Sequence, residues 1–476
     1  MQSIILRKQI EQQLKFSPTQ DQSKAIEALS EYIGDNSSRG IMVLKGFAGT
    51  GKTTLMSALV KSLSSVNKKS CLLAPTGRAA KVLGQYSKRR AFTIHKKIYW
   101  INTNSKGNTY LKLQENKQSN TVFIVDEASM IPNREDKGFG NRILLDDLIE
   151  FVFDGVNCKL ILIGDTAQLP PVGLDLSPAL NTRLLESHYN KEIIASELSQ
   201  VLRQSEQSNI LFNATLIRQR IFEESPNYPK LHIKGDVHYI SNGEALQFAL
   251  EEAYNTVGFD QSIIICRSNK RAFLYNKQVR FKIRWFEDEI SSGDYLMIVR
   301  NNYSWLPPKS KVGFLANGDT MEVQQVFDIE EKHGFRFARV EALLVDYPDE
   351  PPIEVLILLD TISSELPSLS YDDYKKLYNS VSLEYVHIKN TSLRNRAIKE
   401  DEYFNAVQVK FAYAITCHKS QGGQWEHVFI EQGFFQDNML DKAYLRWLYT
   451  ALSRAKSKLY LIGFKEAFIK DYNNLY

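Results

Sequence analysis

Residues 41–54, IMVLKGFAGTGKTT, decide the fold class of this chain. An apolar run leads into a glycine-rich loop, and the residues that follow, TLMSALVKSL, have the composition of a helix. The loop matches GxxxxGK[ST], a pattern in which backbone N–H groups surround phosphate oxygens at a helix N-terminus. A chance glycine-rich turn is the alternative, and the order of strand, loop and helix argues against it. The nucleotide-binding residues predicted from this pattern are Gly46, Phe47, Ala48, Gly49, Thr50, Gly51, Lys52, Thr53 and Thr54.

Lys52 is expected to reach the β- and γ-phosphates of ATP, and the Thr53 hydroxyl is expected to hold Mg²⁺. Two adjacent acids, Asp126 and Glu127, follow the apolar run at 122–125. Asp126 is placed to bind Mg²⁺ through water, and Glu127 to orient and deprotonate the attacking water. A helix cap or a solvated turn is the other interpretation of such a pair. Its occurrence beside a phosphate-binding loop favours catalysis.

A further apolar run, at 160–163, ends in the sequence GDTAQ. The amide of Gln168 is able to donate to a γ-phosphate, which makes this residue a candidate catalytic sensor of nucleotide state. A glutamine that is satisfied within its own loop is an equally good interpretation.

Short apolar runs separated by helical stretches recur along the chain, which is typical of buried parallel sheets. They lie at 41–44, 70–73, 122–125, 160–163, 262–266, 407–415, 427–430 and 458–462. Residues 1–15 have the pattern of a short amphipathic helix, and Pro18 and Thr19 open a second helix that extends to Ser30. The pattern predicts an α/β fold with two domains.

Two stretches interrupt this alternation. Residues 97–116 carry strand-forming residues on either side of Asn104–Asn108, which predicts a projecting β-hairpin. Residues 291–404 are β-rich and contain the turn signal Asn317-Gly318-Asp319 between FLA and TMEV, which predicts a second hairpin. The predicted boundaries are 1–96 and 117–190 for the first domain, 97–116 for its insertion, 191–290 and 405–476 for the second domain, and 291–404 for its insertion.

Bulk composition excludes some classes of protein. The chain has 476 residues, of which 43% are hydrophobic and 24% charged, as is typical of soluble globular proteins. Its formal charge of +4 permits nucleic-acid binding without arguing for it. Four scattered cysteines without a CxxC pair argue against a zinc site or a disulfide framework. No signal-peptide pattern and no run of about 18 apolar residues is present, so we expect a cytoplasmic protein without a membrane span.

Nine motifs follow one another along the chain. They read PTQDQ (18–22), GFAGTGKTT (46–54), APTGRAAKVL (74–83), TIHK (93–96), VDEASM (125–130), GDTAQLPPVG (164–173), LSQVLRQ (198–204), AITCHKSQGGQWEHV (414–428) and YTALSRAK (449–456). This series resembles the superfamily 1 helicases of class B, the RecD/Dda-like group. The resemblance implies two RecA-like P-loop domains, with a hairpin called the pin in the first and an SH3-like β-rich insertion in the second.

The resemblance also assigns roles around the nucleotide. It implies that Gln22 contacts the adenine, that Gln424 lies near the ribose, and that Arg203 and Arg454 reach the γ-phosphate from the second domain. Arginine suits this role because its guanidinium offers a fixed fork of donors and keeps its proton. Without the resemblance, both arginines would be interpreted as surface ion-pair residues.

DNA-contacting positions implied by the resemblance lie in both domains. Backbone amides and a hydroxyl at the helix opened by 74–78 are able to hold a phosphate. Aromatic residues of the pin are able to stack on a base, and packing on their own domain is an equal alternative. A lone histidine such as His95 is more often structural, but His95-Lys96 and His418-Lys419 fall in matching motifs. The predicted set is Pro75, Thr76, Arg78, Lys81, Thr93, His95, Tyr99, Trp100, His418 and Ser420.

These motifs imply an ATP- and Mg²⁺-dependent DNA helicase that moves along single-stranded DNA, with 5′→3′ polarity implied by the family alone. Its expected partners are single-stranded DNA and single-/double-strand junctions, on which the chain acts as a monomer. A translocase that does not separate duplex, and a module whose DNA affinity is switched by ATP, remain alternatives. A nuclease is not indicated, because no acidic cluster beyond Asp126-Glu127 suits a two-metal site. The sequence leaves open an RNA track, the pathway (repair or replication), loading partners and the role of the segment after Asp360.

Overall fold

Helices and strands alternate along the computed structural model, which describes residues 2–14, 16–36, 39–103, 109–136, 142–201, 208–224, 227–307, 310 and 312–470. The α-helices are α1 (Gln2–Gln13), α2 (Gln20–Gly34), α3 (Lys52–Ser62), α4 (Gly77–Ser87), α5 (Ile94–Ile98), α6 (Leu144–Asp154), α7 (Thr182–Tyr189), α8 (Asn209–Phe222), α9 (Gly243–Val257), α10 (Asn269–Lys282), α11 (Leu359–Ser363), α12 (Tyr371–Glu384), α13 (Thr391–Glu400), α14 (Cys417–Ser420) and α15 (Lys442–Leu452). Among the helices of these ranges, none combines the length and apolar character that crossing a bilayer requires.

The β-strands are β1 (Ile41–Gly46), β2 (Lys69–Ala74), β3 (Ala91–Thr93), β4 (Tyr99–Thr103), β5 (Thr109–Leu113), β6 (Thr121–Val125), β7 (Glu135–Asp136), β8 (Arg142–Ile143), β9 (Lys159–Gly164), β10 (Ile193–Leu198), β11 (Val237–Ile240), β12 (Ser262–Cys266), β13 (Tyr295–Ile298), β14 (Thr320–Lys332), β15 (Phe335–Leu344), β16 (Ile353–Leu358), β17 (Val407–Phe411), β18 (Ala414–Thr416), β19 (Trp425–Glu431) and β20 (Ala455–Ile462).

Within the described ranges the chain divides into two units. The first contains Met1–Asn104, Asn108–Gly235 and Asp437–Ser453, and the second contains Asp236–Gln436 and Arg454–Tyr476. The predicted boundary after residue 190 lies too early, because β10 pairs in parallel with β1 and so extends the sheet of the first unit. Residues 437–453, predicted in the second domain, also group with the first unit because α15 packs there.

A parallel sheet with strand order β10-β1-β9-β6-β2-β3 forms the centre of the first unit. One of its faces packs against α1, α2 and α3, and the other packs against α6. Burial on both faces explains why the central strands read as continuous apolar runs. The strands predicted at 41–44, 70–73, 122–125 and 160–163 are therefore confirmed, as are the two amino-terminal helices.

Strands β4 and β5 form an antiparallel hairpin where one was predicted, with Tyr99 opposite Leu113. The predicted turn, 104–108, lies outside the described residues. Tyr99 and Leu111 are buried in the same apolar cluster as α6, so the base of the hairpin is anchored to its own unit.

The second unit contains a parallel sheet with strand order β11-β20-β19-β12-β18 and a closed barrel formed by β13, β14, β15, β16 and β17. A parallel pairing of β16 with β17 closes the barrel. One apolar cluster extends from the barrel to the sheet and includes Leu296, Val340 and Phe429. The β-rich character predicted for 291–404 is confirmed by β13 to β16.

The apolar run 407–415, predicted as one strand of the second sheet, is divided between the barrel and the sheet. Val407–Phe411 forms β17, which pairs with β13 and β16. Ala414–Thr416 forms β18, which lies beside β12 at the edge of the sheet. Both halves are mostly buried, so their apolar character alone does not reveal that the chain changes partners.

The turn predicted at Asn317-Gly318-Asp319 is present, and Gly318 has a left-handed φ of 95°. The FLA segment before it makes an isolated bridge rather than a strand, so the predicted hairpin is wrong. The hairpin of the barrel turns instead at His333 and Gly334, between β14 and β15. Their φ values of 55° and 75° suit a tight turn that matches the twist of the strands.

Candidate nucleotide and DNA sites

The glycine-rich loop joins the end of β1 to the start of α3. Gly49 and Gly51 have φ values of 76° and 83°, a left-handed conformation that glycine adopts without steric cost. The Thr50 hydroxyl donates to the Phe47 carbonyl at 2.8 Å, which ties the loop to itself. The loop is therefore shaped by its own sequence before any ligand is considered.

Lys52 opens α3 and turns back over the loop. Its Nζ donates to the carbonyls of Gly46 at 2.7 Å and Phe47 at 2.8 Å. Thr53 and Thr54 are exposed at the start of the helix. The ammonium is thus held where a helix N-terminus already favours an anion.

Asp126 and Glu127 follow β6, which lies beside β9, and β9 lies beside β1. Burial raises the pKa of the Asp126 carboxyl, whereas the Glu127 amide, 2.9 Å from Oδ1, and the Lys52 ammonium lower it. Glu127 has a φ of 51°, which is uncommon outside glycine and is often found where backbone strain serves a function.

A divalent cation fits the residues at this edge of the sheet. Asp126 is a carboxylate whose pKa is raised by burial, so a further positive charge would stabilise its ionised form. Thr53 presents an exposed hydroxyl. Mg²⁺ prefers oxygen ligands and keeps several of its waters, so these two side chains suit it.

Gln22 is engaged by the protein in a way that the predicted adenine contact did not anticipate. Its Oε1 accepts the Thr19 amide N–H at 3.0 Å in a capping box at the start of α2, and its Nε2 donates to the Thr50 carbonyl at 3.1 Å. The residue is 2% exposed. Both ends of its amide are engaged, so Gln22 braces the loop against α2, and its contact with the adenine stays a prediction.

Helix α15 covers the loop that follows β9. Tyr449 Oη accepts the Ala48 amide N–H at 2.9 Å and donates to Asp165 Oδ2 at 2.7 Å. Thr450 Oγ1 accepts the Leu169 amide N–H at 2.8 Å. These hydrogen bonds join α15 both to the phosphate-binding loop and to the loop that carries Gln168.

Gln168 is 6% exposed, and within the described part of the chain its Oε1 has no hydrogen-bond partner. A buried amide oxygen without a donor is costly, so a group able to donate a hydrogen bond would stabilise it. Both interpretations of Gln168, as a sensor of nucleotide state and as a residue of its own loop, therefore stay predictions.

Several residues around the loop were not predicted from the sequence. Tyr449 and Asp165 lie inside two of the nine motifs, and this location was the one sequence feature that could have indicated a role for them. Phe47 packs against α8, with its ring centroid 6.1 Å from that of Phe222 and 4.3 Å from the Arg218 guanidinium. Arg218 is thus a further cation beside the loop, and a single arginine on a helix gave no sequence signal.

Arg203 lies outside the described residues, so its predicted role stays a prediction. Arg454 belongs to the second unit and is 4% exposed. Its Nη1 donates to the Gly423 carbonyl at 3.3 Å, and its own carbonyl accepts the Trp425 amide N–H at 3.0 Å. Gln424 is exposed next to these residues in the chain. Arg454 is therefore buried rather than a surface ion-pair residue.

Two threonines predicted to contact DNA begin helices of the first unit. Thr76 Oγ1 accepts the Ala79 amide N–H at 3.2 Å, and Thr93 Oγ1 accepts the Lys96 amide N–H at 3.2 Å. Thr93 is 5% exposed, so its hydroxyl caps α5 and is not offered to a phosphate, which corrects that prediction. The partly exposed members of the predicted set on these elements are Pro75, Thr76, Arg78, Lys81 and His95.

Tyr99 and Trp100 point to opposite sides of β4, as successive strand residues do. Tyr99 is 4% exposed, and its Oη donates to Asp147 Oδ2 at 2.5 Å. Arg142 forms an ion pair with the same carboxylate. Tyr99 therefore belongs to the core, which corrects its prediction as a base-stacking residue. Trp100 is 63% exposed and accessible to a base.

The predicted DNA contacts of the second unit differ in accessibility. His418 is exposed, whereas Ser420 is fully buried and its hydroxyl donates to the Cys417 carbonyl at 2.7 Å. Ser420 therefore supports the end of α14, which corrects its prediction as a DNA contact. Lys419 lines a cavity with Lys410 of β17. Burial lowers the pKa of Lys419 to about 8, and burial together with the Lys419 charge lowers the pKa of Lys410 to about 8.

Comparisons with known proteins match both parts of the chain. Residues 17–224 match the family described as AAA domain, and residues 411–462 match the family described as UvrD-like helicase C-terminal domain. The ATP-dependent RecD2 DNA helicase of Deinococcus radiodurans is 34% identical over 136 residues, which cover 29% of this chain and 17% of that protein. The ATP-dependent DNA helicase dda of Enterobacteria phage T4 is 26% identical over 265 residues, which cover 54% of this chain and 56% of that protein.

Both alignments cover less than two thirds of the relative's own length. A crystal structure of Pif1 helicase from Bacteroides in complex with ADP-AlF3 and ssDNA superposes with a TM-score of 0.48 at 16% identity. That superposition covers 97% of this chain and 96% of the other.

Proposed function

We propose that the chain is an ATP-dependent DNA helicase of superfamily 1, class B, in the RecD/Dda-like group. On this proposal it moves 5′→3′ along single-stranded DNA and couples the hydrolysis of Mg-ATP to separation of the duplex. The polarity rests on family likeness. The coupling rests on the residues collected at one edge of the first sheet.

The observation that carries the proposal is the convergence of three loops at the carboxyl edge of that sheet. β1, β9 and β6 are adjacent and parallel, and they end at the Lys52 loop, the Gln168 loop and the Asp126-Glu127 pair. Because parallel strands end at a common edge, a cation, an amide and two acids are brought to one side of the sheet. Phosphoryl transfer needs such a set, since its catalysis consists of positioning and charge stabilisation.

Within this set we assign each residue one task. Lys52 binds the β- and γ-phosphates, and Glu127 orients and deprotonates the attacking water. Asp126 and Thr53 hold Mg²⁺, which when bound neutralises charge on the phosphates. Arg203 and Arg454 are assigned to the γ-phosphate, where cationic donors stabilise the developing charge.

DNA contacts are assigned to accessible positions. Arg78, Lys81 and His95 of the first unit, and His418 and Lys419 of the second, suit the phosphate backbone, whose binding tolerates any sequence. Exposed Trp100 is assigned to the base pair at the fork.

Strand displacement tests the proposal, with one duplex carrying either a 5′ or a 3′ single-stranded tail in the presence of ATP and Mg²⁺. We expect displacement of the 5′-tailed duplex and none by Lys52→Ala, because the phosphates lose their fixed cation. DNA-stimulated ATP hydrolysis without displacement would identify a translocase. ATP-dependent DNA affinity without turnover would identify a switch. Displacement of the 3′-tailed duplex alone would refute the polarity.

A further inference from the structure

The hydroxyl group of Tyr449 joins helix α15 to the phosphate-binding loop. Tyr449 Oη accepts the Ala48 amide N–H at 2.9 Å and donates to Asp165 Oδ2 at 2.7 Å. Asp165 Oδ1 in turn accepts the Ala167 amide N–H at 2.8 Å. Tyr449 and Asp165 are each 1% exposed, so water does not compete for these bonds.

The hydroxyl satisfies two groups that burial would otherwise penalise, a backbone N–H and a carboxylate. Burial and the neighbouring Asp165 charge raise the pKa of Tyr449 well above its usual value, so the phenol keeps its proton and continues to donate. A neutral group with a fixed direction thus joins the loop after β1 to the loop after β9.

The same helix is held at two further points. Thr450 accepts the Leu169 amide N–H at 2.8 Å, and Arg446 donates to the Thr166 carbonyl. The helix ends at Leu452, and Arg454, two residues later, already belongs to the second unit. The segment that leads directly into Arg454 is therefore fastened to both nucleotide-site loops of the first unit.

We propose that Tyr449 is a positioning residue that couples the shape of the phosphate-binding loop to the segment carrying Arg454. This inference rests on the proposed function, in which Arg454 acts on the γ-phosphate. Tyr449 itself need not touch the nucleotide. Its hydroxyl fixes the Ala48 amide and so prepares the loop for ATP, and a change of the loop on binding is passed to α15 through the same bond.

Tyr413 of the second unit offers a matched control. It is also 1% exposed, and its Oη accepts the Tyr295 amide N–H at 3.2 Å and donates to Asp294 Oδ1 at 3.0 Å. Tyr413→Phe therefore removes the same pair of bonds from a similar environment in the unit that lacks the phosphate-binding loop. The comparison separates loss of positioning from a general loss of stability.

The experiment measures thermal unfolding, the KM for ATP, and kcat with and without single-stranded DNA, for the wild type, Tyr449→Phe and Tyr413→Phe. We expect similar losses of Tm in the two variants. In Tyr449→Phe alone, we expect the KM for ATP to rise about tenfold and most of the DNA stimulation of kcat to be lost. Equal KM values and equal stimulation in both variants would overturn the inference. Absence of DNA-stimulated turnover in the wild type would instead overturn the proposed function.

Asp165→Asn provides a second route if Tyr449→Phe does not fold. The amide oxygen of asparagine still accepts from Tyr449, but the charge that strengthens the bond is lost. We expect the same two effects in smaller measure. A wild-type KM together with wild-type DNA stimulation in Asp165→Asn would also overturn the inference.

Discussion

Glu127 occupies a strained backbone conformation next to the carboxylate assigned to the metal, and its substitution separates nucleotide binding from turnover. Glu127→Gln keeps the size of the side chain but removes the base. We expect ATP affinity to be retained and kcat to fall by about 10²–10⁴-fold. Calorimetric titration with ATP and steady-state hydrolysis with single-stranded DNA measure the two quantities. Glu135→Gln, at an exposed position of the same unit, serves as the control and should hydrolyse ATP normally. Loss of ATP binding in Glu127→Gln would show that the residue is structural.

At the scale of single residues, motif spacing predicted the type of side chain better than it predicted whether that side chain is accessible to a ligand. Gln22, Ser420 and Tyr99 stand at motif or hairpin positions, but each has its polar atoms bonded within the protein. Spacing identifies a residue type at a position and does not report which hydrogen bonds the fold has already formed. Tyr449 was missed for the related reason that its partners, Ala48 and Asp165, are far away in the sequence.

The hairpin of β4 and β5 carries one exposed aromatic residue on the described part of its first strand, and this residue is the one that should act on the duplex. We expect Trp100→Ala to keep DNA-stimulated ATP hydrolysis and to reduce strand displacement by about tenfold, because base–aromatic stacking is worth about 1–3 kcal/mol. Tyr99→Phe is the matched control: it breaks the bond to Asp147, lowers Tm, and should leave displacement by the folded protein intact. Equal losses of hydrolysis and displacement in Trp100→Ala would show that the hairpin is only architectural.

Strands that are buried on both faces were predictable from their continuous apolar runs. The predicted domain boundary and strand pairing were wrong where a strand lies at an edge or where one run is divided between two β structures. β10 is an edge strand with an alternation of partly buried and exposed residues, so the first unit was ended too early. The run 407–415 has the expected apolar character, but its two halves belong to different β structures. An apolar run indicates that a strand is buried, but it does not indicate with which strand it pairs.

The affinity of the whole chain for DNA should depend on pH because two of its cations titrate near neutrality. Lys410 and Lys419 have pKa values of about 8, lowered from 10.5 by burial. Raising the pH from 7 to 9 removes their protons, so positive charge is lost and the affinity for single-stranded DNA falls. Stability changes in the opposite direction: between about pH 8 and 10.5 the unfolded chain binds more protons, so these lysines make the free energy of unfolding rise with pH.

Titration of single-stranded DNA at pH 7 and 9, at constant ionic strength, tests this dependence with Lys419→Arg. Arginine keeps its proton, so the variant should lose less affinity at pH 9 than the wild type does. Lys375→Arg, at an exposed position of the same unit, should behave as the wild type. An identical decline in Lys419→Arg and the wild type would exclude Lys419 as the titrating contact.

The stretch from Val407 to Thr416 forms first a strand of the barrel and then a strand of the sheet, and it leads directly into α14, which carries His418. Residues 291–404 therefore do not contain the whole barrel, so neither recombination nor protein engineering can exchange the barrel by exchanging that segment alone. A graft of residues 291–404 would carry β13 to β16 and leave the barrel's remaining strand with the recipient. The segment that must be kept together extends from β13 through α14, so we expect the barrel and the helix that carries His418 to diverge together during evolution.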